Sequence, residues 1–297
     1  MRIAIAGATG LVGHGVASAL RLAGHDVVTV GRRKECDVRL DLIRAVAPPA
    51  SAFAGCEALV HAAGVIDEDF ADARSARAKA EAGATVLTEA AIAGGVRRLV
   101  YFSSAHVYGP LQGDIDESHP VDPRSDYARA HLATESRMRN AAGRAGASLL
   151  VARPCAVFGP LAEPGTFSRW SLIPFDFPRQ AAHGRIVLKS PGNQRRNFVS
   201  SPGLGAFTRD WLESAGEATV ANVPGTDELS VYDFALLCAR IAGEESGREC
   251  SVERPAGGGG TAPPLRYLSR HGTVANARHL EEHVREIIRA FLEKATN

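Results

Sequence analysis

The chain has 297 residues, 45% of them hydrophobic, and carries 34 Lys and Arg against 33 Asp and Glu, a net charge of +1. That length suits one large α/β domain, or one domain with a smaller lobe, and buries a core without disulfide or metal staples. Balanced charge offers no field for nucleic acid or a membrane surface, and no apolar run reaches bilayer length. The five cysteines (Cys36, Cys56, Cys155, Cys238, Cys250) are odd in number and form no CxxC pair. They fit a reducing compartment, so a cytoplasmic protein with no nucleic-acid or membrane partner is expected. Met1 to Ala6 reads as a strand rather than a signal peptide. The histidines lack metal-ligand spacing, so no metal is expected.

The first strand, Arg2 to Ala6, runs into Gly7-Ala-Thr-Gly10-Leu-Val-Gly13 and then an amphipathic segment, Leu11 to Leu22, with Gly24 as its stop. Strand, three-glycine turn and helix start together form the context that brings backbone amides to a pyrophosphate at a helix N-terminus. Gly7 permits the turn, Gly10 a close phosphate approach, and Gly13 close packing of the helix on the sheet. Further strands read at Asp26 to Val30, Asp37 to Leu40, Ala58 to Ala62, Arg98 to Phe102 and Ser148 to Ala152. Helices read at Asp69 to Ala93, with a break near Gly83, and at Asp126 to Ala142, N-capped by Ser125. Asp67-Glu68-Asp69 reads as acidic charge at a helix start. This alternation predicts a doubly wound parallel sheet, an α/β fold with a nucleotide-binding core over 1–160.

After Pro154 proline, glycine and aromatic residues become dense. Strands read at Arg185 to Lys189, Arg196 to Val199, Ala218 to Val223 and Ser251 to Arg254. Helices read at Leu204 to Glu213, Ser230 to Ile241 and Leu280 to Lys294, with a loop over Ala256 to Pro264. Residues 161–297 are therefore expected to form mainly a smaller α+β substrate lobe, with some segments returning to the core.

Taken in order, the glycine turn, Asp41-Leu42, His61-Ala-Ala-Gly64, Phe102-Ser-Ser104-Ala-His-Val-Tyr-Gly109, Tyr127 opening a helix, Arg153-Pro-Cys-Ala-Val-Phe-Gly-Pro160, Arg196-Asn-Phe-Val199 and Asn222-Val-Pro-Gly225 resemble the extended short-chain dehydrogenase/reductase family. Its members are sugar-nucleotide epimerases, dehydratases and reductases, and the likeness runs to about the last helix. The resemblance implies that Thr9, Leu11 and Val12 join the three glycines at the dinucleotide. Asp41-Leu42 would meet its adenine, and Ala62, Ala63, Gly64 and Pro154 would line its ribose and nicotinamide end. Ser104 would bind a substrate oxygen, Tyr127 would be the acid/base, and His106 would line the pocket. Arg196, with Arg266, would grip a nucleotide diphosphate whose far end sits near Trp170. It also implies a homodimer through the helices carrying Leu87 and Met138.

The chain departs from that pattern. The usual lysine four residues after the tyrosine is His131, on the same helical face. An asparagine expected on the preceding long helix is Ala80, and one expected after Arg153-Pro154 is Ala156. The linker before the last helix is short. His131 is expected to stand in as ribose anchor or proton relay. The second strand ends in Gly31-Arg32-Arg33 where an NAD binder places an acid. Arg32 and Arg33 are therefore candidate 2′-phosphate ligands, favouring NADP(H), with NAD(H) as the alternative. The expectation is an NADPH-dependent keto-sugar-nucleotide reductase in which Tyr127 gives the proton and Ser104 holds the carbonyl. An NAD-retaining epimerase or dehydratase, and a cofactor-binding regulatory protein that has lost catalysis, stand beside it.

Overall fold

The computed structural model describes residues 1–64, 73–214, 217, 219–255, 264–276 and 278–296. The acidic trio Asp67-Glu68-Asp69, the residue Ala218 and all but the last residue of the Ala256–Pro264 loop lie outside them. In chain order the strands are β1 (Arg2–Ala6), β2 (Asp26–Gly31), β3 (Val38–Arg39), β4 (Ala58–His61), β5 (Arg98–Phe102), β6 (Gly113–Ile115), β7 (Ser148–Pro154), β8 (Ala156–Phe158), β9 (Arg185–Val187), β10 (Arg195–Ser200), β11 (Thr219–Val223), β12 (Asp227–Ser230), β13 (Ser251–Glu253) and β14 (Leu265–Tyr267). The helices are α1 (Leu11–Leu22), α2 (Ala73–Ala93), α3 (Asp126–Ala145), α4 (Ile173–Ala182), α5 (Ser201–Glu213), α6 (Val231–Ser246) and α7 (Leu280–Thr296).

Seven parallel strands form the main sheet in the order β3-β2-β1-β4-β5-β7-β11. Its central strands are apolar on both faces because both faces are covered. Ile3, Ile5 and Val60 meet Val16 and Leu20 of α1 and Leu204 and Leu212 of α5. Ala4, Leu59 and Leu99 meet Leu87 of α2 and Met138 of α3 on the other side. Leu87 and Met138 are fully buried in this core, so neither is a surface contact for a second copy. The order in which strands are added reverses between β1 and β4, a switch point that opens a crevice at their carboxyl ends. From the C-terminal half, β11 pairs with β7 in this sheet and α5 lies on α1. A Cβ on Gly15 would lie 2.5 Å from the Ser201 backbone and one on Gly205 2.5 Å from Ala19, so glycine permits that helix contact.

Two sequence expectations change. Helix α2 runs unbroken through Gly83, where a Cβ would stand 2.4 Å from the Leu42 carbonyl; this glycine serves close approach, not a break. Helix α4 is not foreseen from sequence, because Pro174 and Pro178 argue against a helix. Pro174 sits in the first turn, where its missing N–H costs nothing. Pro178 leaves the Pro174 carbonyl without its helical donor, and Nε2 of the buried His283 on α7 lies 3.1 Å from that oxygen. Burying Phe175 and Phe177 then favours the helix.

Outside the main sheet, β12-β10-β8 form a three-stranded sheet, and β9–β13 and β6–β14 form two parallel pairs. Phe158, Phe198, Phe234 and Ile288 centre the core of this second lobe. Asn197 of β10 and Gly225 exchange two hydrogen bonds, 3.0 and 2.8 Å, which brings two of the sequence motifs together. No described helix is long and apolar enough to cross a membrane.

Candidate active site

The glycine turn lies at the crevice. Gly7 has φ +84°, and a Cβ there would stand 2.7 Å from the Ala63 amide nitrogen, so the loop after β4 closes directly on the turn after β1. A Cβ on Gly13 would lie 2.1 Å from the Gly7 carbonyl; its bareness admits the turn itself, rather than the sheet. Gly10 caps α1 with extended backbone and no side-chain cap. The Gly10 amide donates back to the Gly7 carbonyl at 2.9 Å, while the first-turn amides of Leu11 and Val12 have no side-chain acceptor at the cap. That is the donor set a pyrophosphate needs, so the turn fits a dinucleotide. Ala62 and Ala63 are half-buried and Gly64 is exposed beside it.

Just past β2, Arg32 is exposed, and Arg33 is half-buried and held by Glu163 at 2.8 Å and by Thr166 Oγ1 at 2.6 Å. Asp41 accepts from the Ile43 amide at 3.0 Å and pairs with Arg44 at 3.7 Å, while Leu42 packs under Gly83.

Ser104 follows β5 and caps the 3-10 turn Ala105–Tyr108, its Oγ accepting from the His106 amide at 3.2 Å. Its own proton stays available to donate. Ser125 caps α3 by accepting from the Ala128 amide at 3.1 Å, which fixes Tyr127 in the first turn. The Tyr127 ring meets the exposed His106 edge-on at 6.2 Å and His131 edge-on at 4.5 Å. The rings of His106, Tyr127 and His131 thus lie together, with Ser104 bonded to the His106 backbone.

His131 is buried, and its Nδ1 lies 2.7 Å from the Tyr101 hydroxyl. Burial, reinforced by His106, His61 and Arg169, takes its pKa down to about 3, so the imidazole is neutral at physiological pH. Burial, reinforced by Glu135, holds the Tyr101 phenol well above its ordinary range, and that group is neutral too. Motif reasoning does not single out Tyr101. The signal is present in the sequence all the same: Tyr101 and Ser103 alternate on one strand face, and His131, Thr134 and Glu135 follow helical spacing on the facing stripe.

Beneath these groups runs a buried polar network. Arg153 donates to both oxygens of Glu135, at 2.9 and 2.6 Å, and Ser103 donates to the same carboxylate at 2.5 Å. Burial opposes the Arg153 charge, but Glu135 more than restores it. The guanidinium also stacks over Tyr108 at 4.9 Å. Tyr108 donates to Asn222 Oδ1 at 2.8 Å, and the Tyr267 hydroxyl lies 2.6 Å from the Arg153 carbonyl. Pro154, buried, ends β7 beside Val223.

The substrate candidates are spread over the second lobe. Arg196 is half-buried on β10, one guanidinium nitrogen donating to the Arg195 carbonyl at 2.8 Å. Arg266 lies on the β6–β14 ribbon with its guanidinium on Asp114. Trp170 sits in an aromatic cluster, 5.2 Å from Phe167 and 5.3 Å from Phe291.

A doubly wound parallel sheet with a glycine turn at its crevice is the frame of a dinucleotide-binding fold. Residues 3–202 match the NAD dependent epimerase/dehydratase family, and the chain belongs to it. It is 27% identical over 172 residues to a dTDP-D-glucose 4,6-dehydratase of Mus musculus, covering 58% of this chain and 47% of that one. It is 38% identical over 135 residues to a 3-diazoavenalumate denitrifying reductase of a Streptomyces species, covering 41% and 44%. The chain thus matches about half the length of these curated relatives, or less. Among solved structures, a UDP-glucose 4-epimerase of Thermotoga maritima with UDP-glucose superposes with TM-score 0.77 at 18% identity, covering both chains fully. RMD from Pseudomonas aeruginosa complexed with NADPH gives 0.75 at 21% identity, covering 99% of each chain.

Proposed function

We propose that the chain is an NADPH-dependent reductase of a ketone on a sugar nucleotide, with Tyr127 as proton donor. The observation that carries this reading is the neutral, buried His131. A lysine there would bring a positive charge that favours the phenolate. His131 brings none, so it lends a Tyr127 phenolate no charge support. An epimerase needs the phenolate first, to remove a proton; ketone reduction needs the neutral phenol, to give one. A bound nicotinamide coenzyme supplies the hydride. Ser104 donates to the carbonyl oxygen and orients it, and Tyr127 O–H protonates that oxygen as it becomes an alcohol. His131 anchors the ribose. Arg196, with Arg266 and the Trp170 cluster, takes the nucleotide end; nucleotide-sugar substrates among the neighbours support that class.

A second reading is an NAD-retaining epimerase or dehydratase, favoured by the Arg33–Glu163 pair, which sets a carboxylate against the candidate 2′-phosphate ligand. Incubation with NADPH and a panel of 4-keto-hexose nucleotides tests between them. Loss of nicotinamide absorbance with one of these ketones is expected. Tightly held NAD in the purified protein, and no consumption with any ketone, would overturn the reductase reading.

A further inference from the structure

We propose that Tyr101 is a positioning residue: its hydroxyl, donating to Nδ1, locks His131 as the Nε2–H tautomer and leaves that N–H for an acceptor in the coenzyme crevice. This rests on the reading of His131 as the coenzyme-side residue and adds the group that orients it.

The contact is 2.7 Å long, and both residues are buried. Tyr101 is fixed from three sides. Its backbone lies in register with His61 of β4 and Val151 of β7, its ring packs in the core shared with α2 and α3, and the His61 ring lies 5.3 Å away. The direction of the hydrogen bond follows from proton counting. A neutral imidazole has one donor and one acceptor nitrogen, and a phenol has one proton. A buried phenol O–H needs an acceptor, and among the described residues the hydrogen-bond partner of the Tyr101 hydroxyl is Nδ1 of His131. The phenol's own proton then goes to Nδ1, which places the imidazole proton on Nε2. Among the described residues none hydrogen-bonds to Nε2.

The pair is a lock rather than a proton relay. A relay would pass through an imidazolium or a Tyr101 phenolate. Burial opposes the imidazolium, and so do His61 of β4, His106 of the 3-10 turn and Arg169 of the second lobe. Burial opposes the phenolate, and so do Glu135 and Tyr127 of α3. A neutral imidazole held in one tautomer can still do one part of a lysine's work: donate a single, directed hydrogen bond to a ribose hydroxyl.

The test uses the full chain with Tyr101→Phe, His131→Gln and His131→Lys. Long-range proton–nitrogen NMR, with His131 assigned by the signal lost in His131→Gln, reads the tautomer directly. A single Nε2–H form, unchanged between about pH 5 and 8, is expected in the native chain, and a tautomer mixture in Tyr101→Phe. NADPH affinity should fall about threefold to tenfold in Tyr101→Phe. The same substitution in the His131→Lys background should have less than about half that effect on a logarithmic scale, because an ammonium needs no tautomer partner. A Nδ1–H form, an imidazolium at neutral pH, or an equal loss in both backgrounds would overturn the lock. Unchanged NADPH affinity in His131→Gln, beside a single Nε2–H form in the native chain, would instead overturn the coenzyme-side reading of His131.

Discussion

Arg33, just past the second strand, and Glu163, in the second lobe, form an ion pair 2.8 Å long that Thr166 extends. The pair ties the loop after β2 to the segment leading into the 3-10 turn Pro164–Thr166. If Arg33 takes the 2′-phosphate, Glu163 competes for it. Glu163→Gln should therefore tighten NADPH relative to NADH by about twofold to fivefold, the range of a partly exposed pair, while Arg33→Ala should weaken NADPH alone. Binding titrations with both coenzymes check this. No change in Glu163→Gln beside a loss in Arg33→Ala would dismiss the competition. No change in either would dismiss Arg33 as a ligand.

His283 occupies the place of the amide that Pro178 lacks. His283→Leu should cost about 1–3 kcal/mol by stranding the Pro174 carbonyl. In a Pro178→Ala background the cost should shrink, since the backbone N–H that alanine restores can close the helical bond to the same oxygen. Urea unfolding of the four proteins measures the coupling; equal costs in both backgrounds would contradict it.

Burial lowers His131 and His283 to about 3 and His61 to about 4. Unfolded imidazoles protonate near 6.5. Below that pH the unfolded chain binds protons that the folded chain refuses, so stability is full above about 6.5 and falls as pH drops toward the folded values. The limiting slope is about 1.4 kcal/mol per pH unit per histidine. Thermal melts between about pH 7.5 and 5 should show it, and His283→Gln should flatten it. An unchanged slope in that variant would contradict the assignment.

Glu135 is fully buried and satisfies both Arg153 and Ser103. Glu135→Leu should cost about 3–5 kcal/mol by leaving a buried guanidinium unpaired, and Glu135→Leu with Arg153→Met should recover much of that. Unfolding midpoints read both; a double variant no more stable than the single one would show that the network matters beyond its charge.

The parts of this fold that are legible in sequence are those whose cause is local. The three-glycine turn needs φ +84° at Gly7, and only its neighbours decide that. Ser125 announces α3 because a cap acts three residues away. Helix α4 is hidden because its second proline is compensated by His283, far along the chain. Gly83 reads as a break because its reason, the Leu42 carbonyl, lies across the packing interface. The same distinction holds at the site. Ser104, Tyr127 and His131 follow from motif and helical spacing. Tyr101 emerges only when strand register and helix face are combined, and the Arg33–Glu163 pair only when the two lobes are seen together.

The most direct test of the account is single-turnover reduction of a 4-keto-hexose nucleotide by NADPH, comparing the native chain with Tyr127→Phe and following nicotinamide absorbance. Removing the proton donor should slow hydride consumption by about a hundredfold or more while coenzyme affinity stays near native. Native-like consumption in Tyr127→Phe would contradict the assignment of that phenol as the acid, and the mechanism built on it.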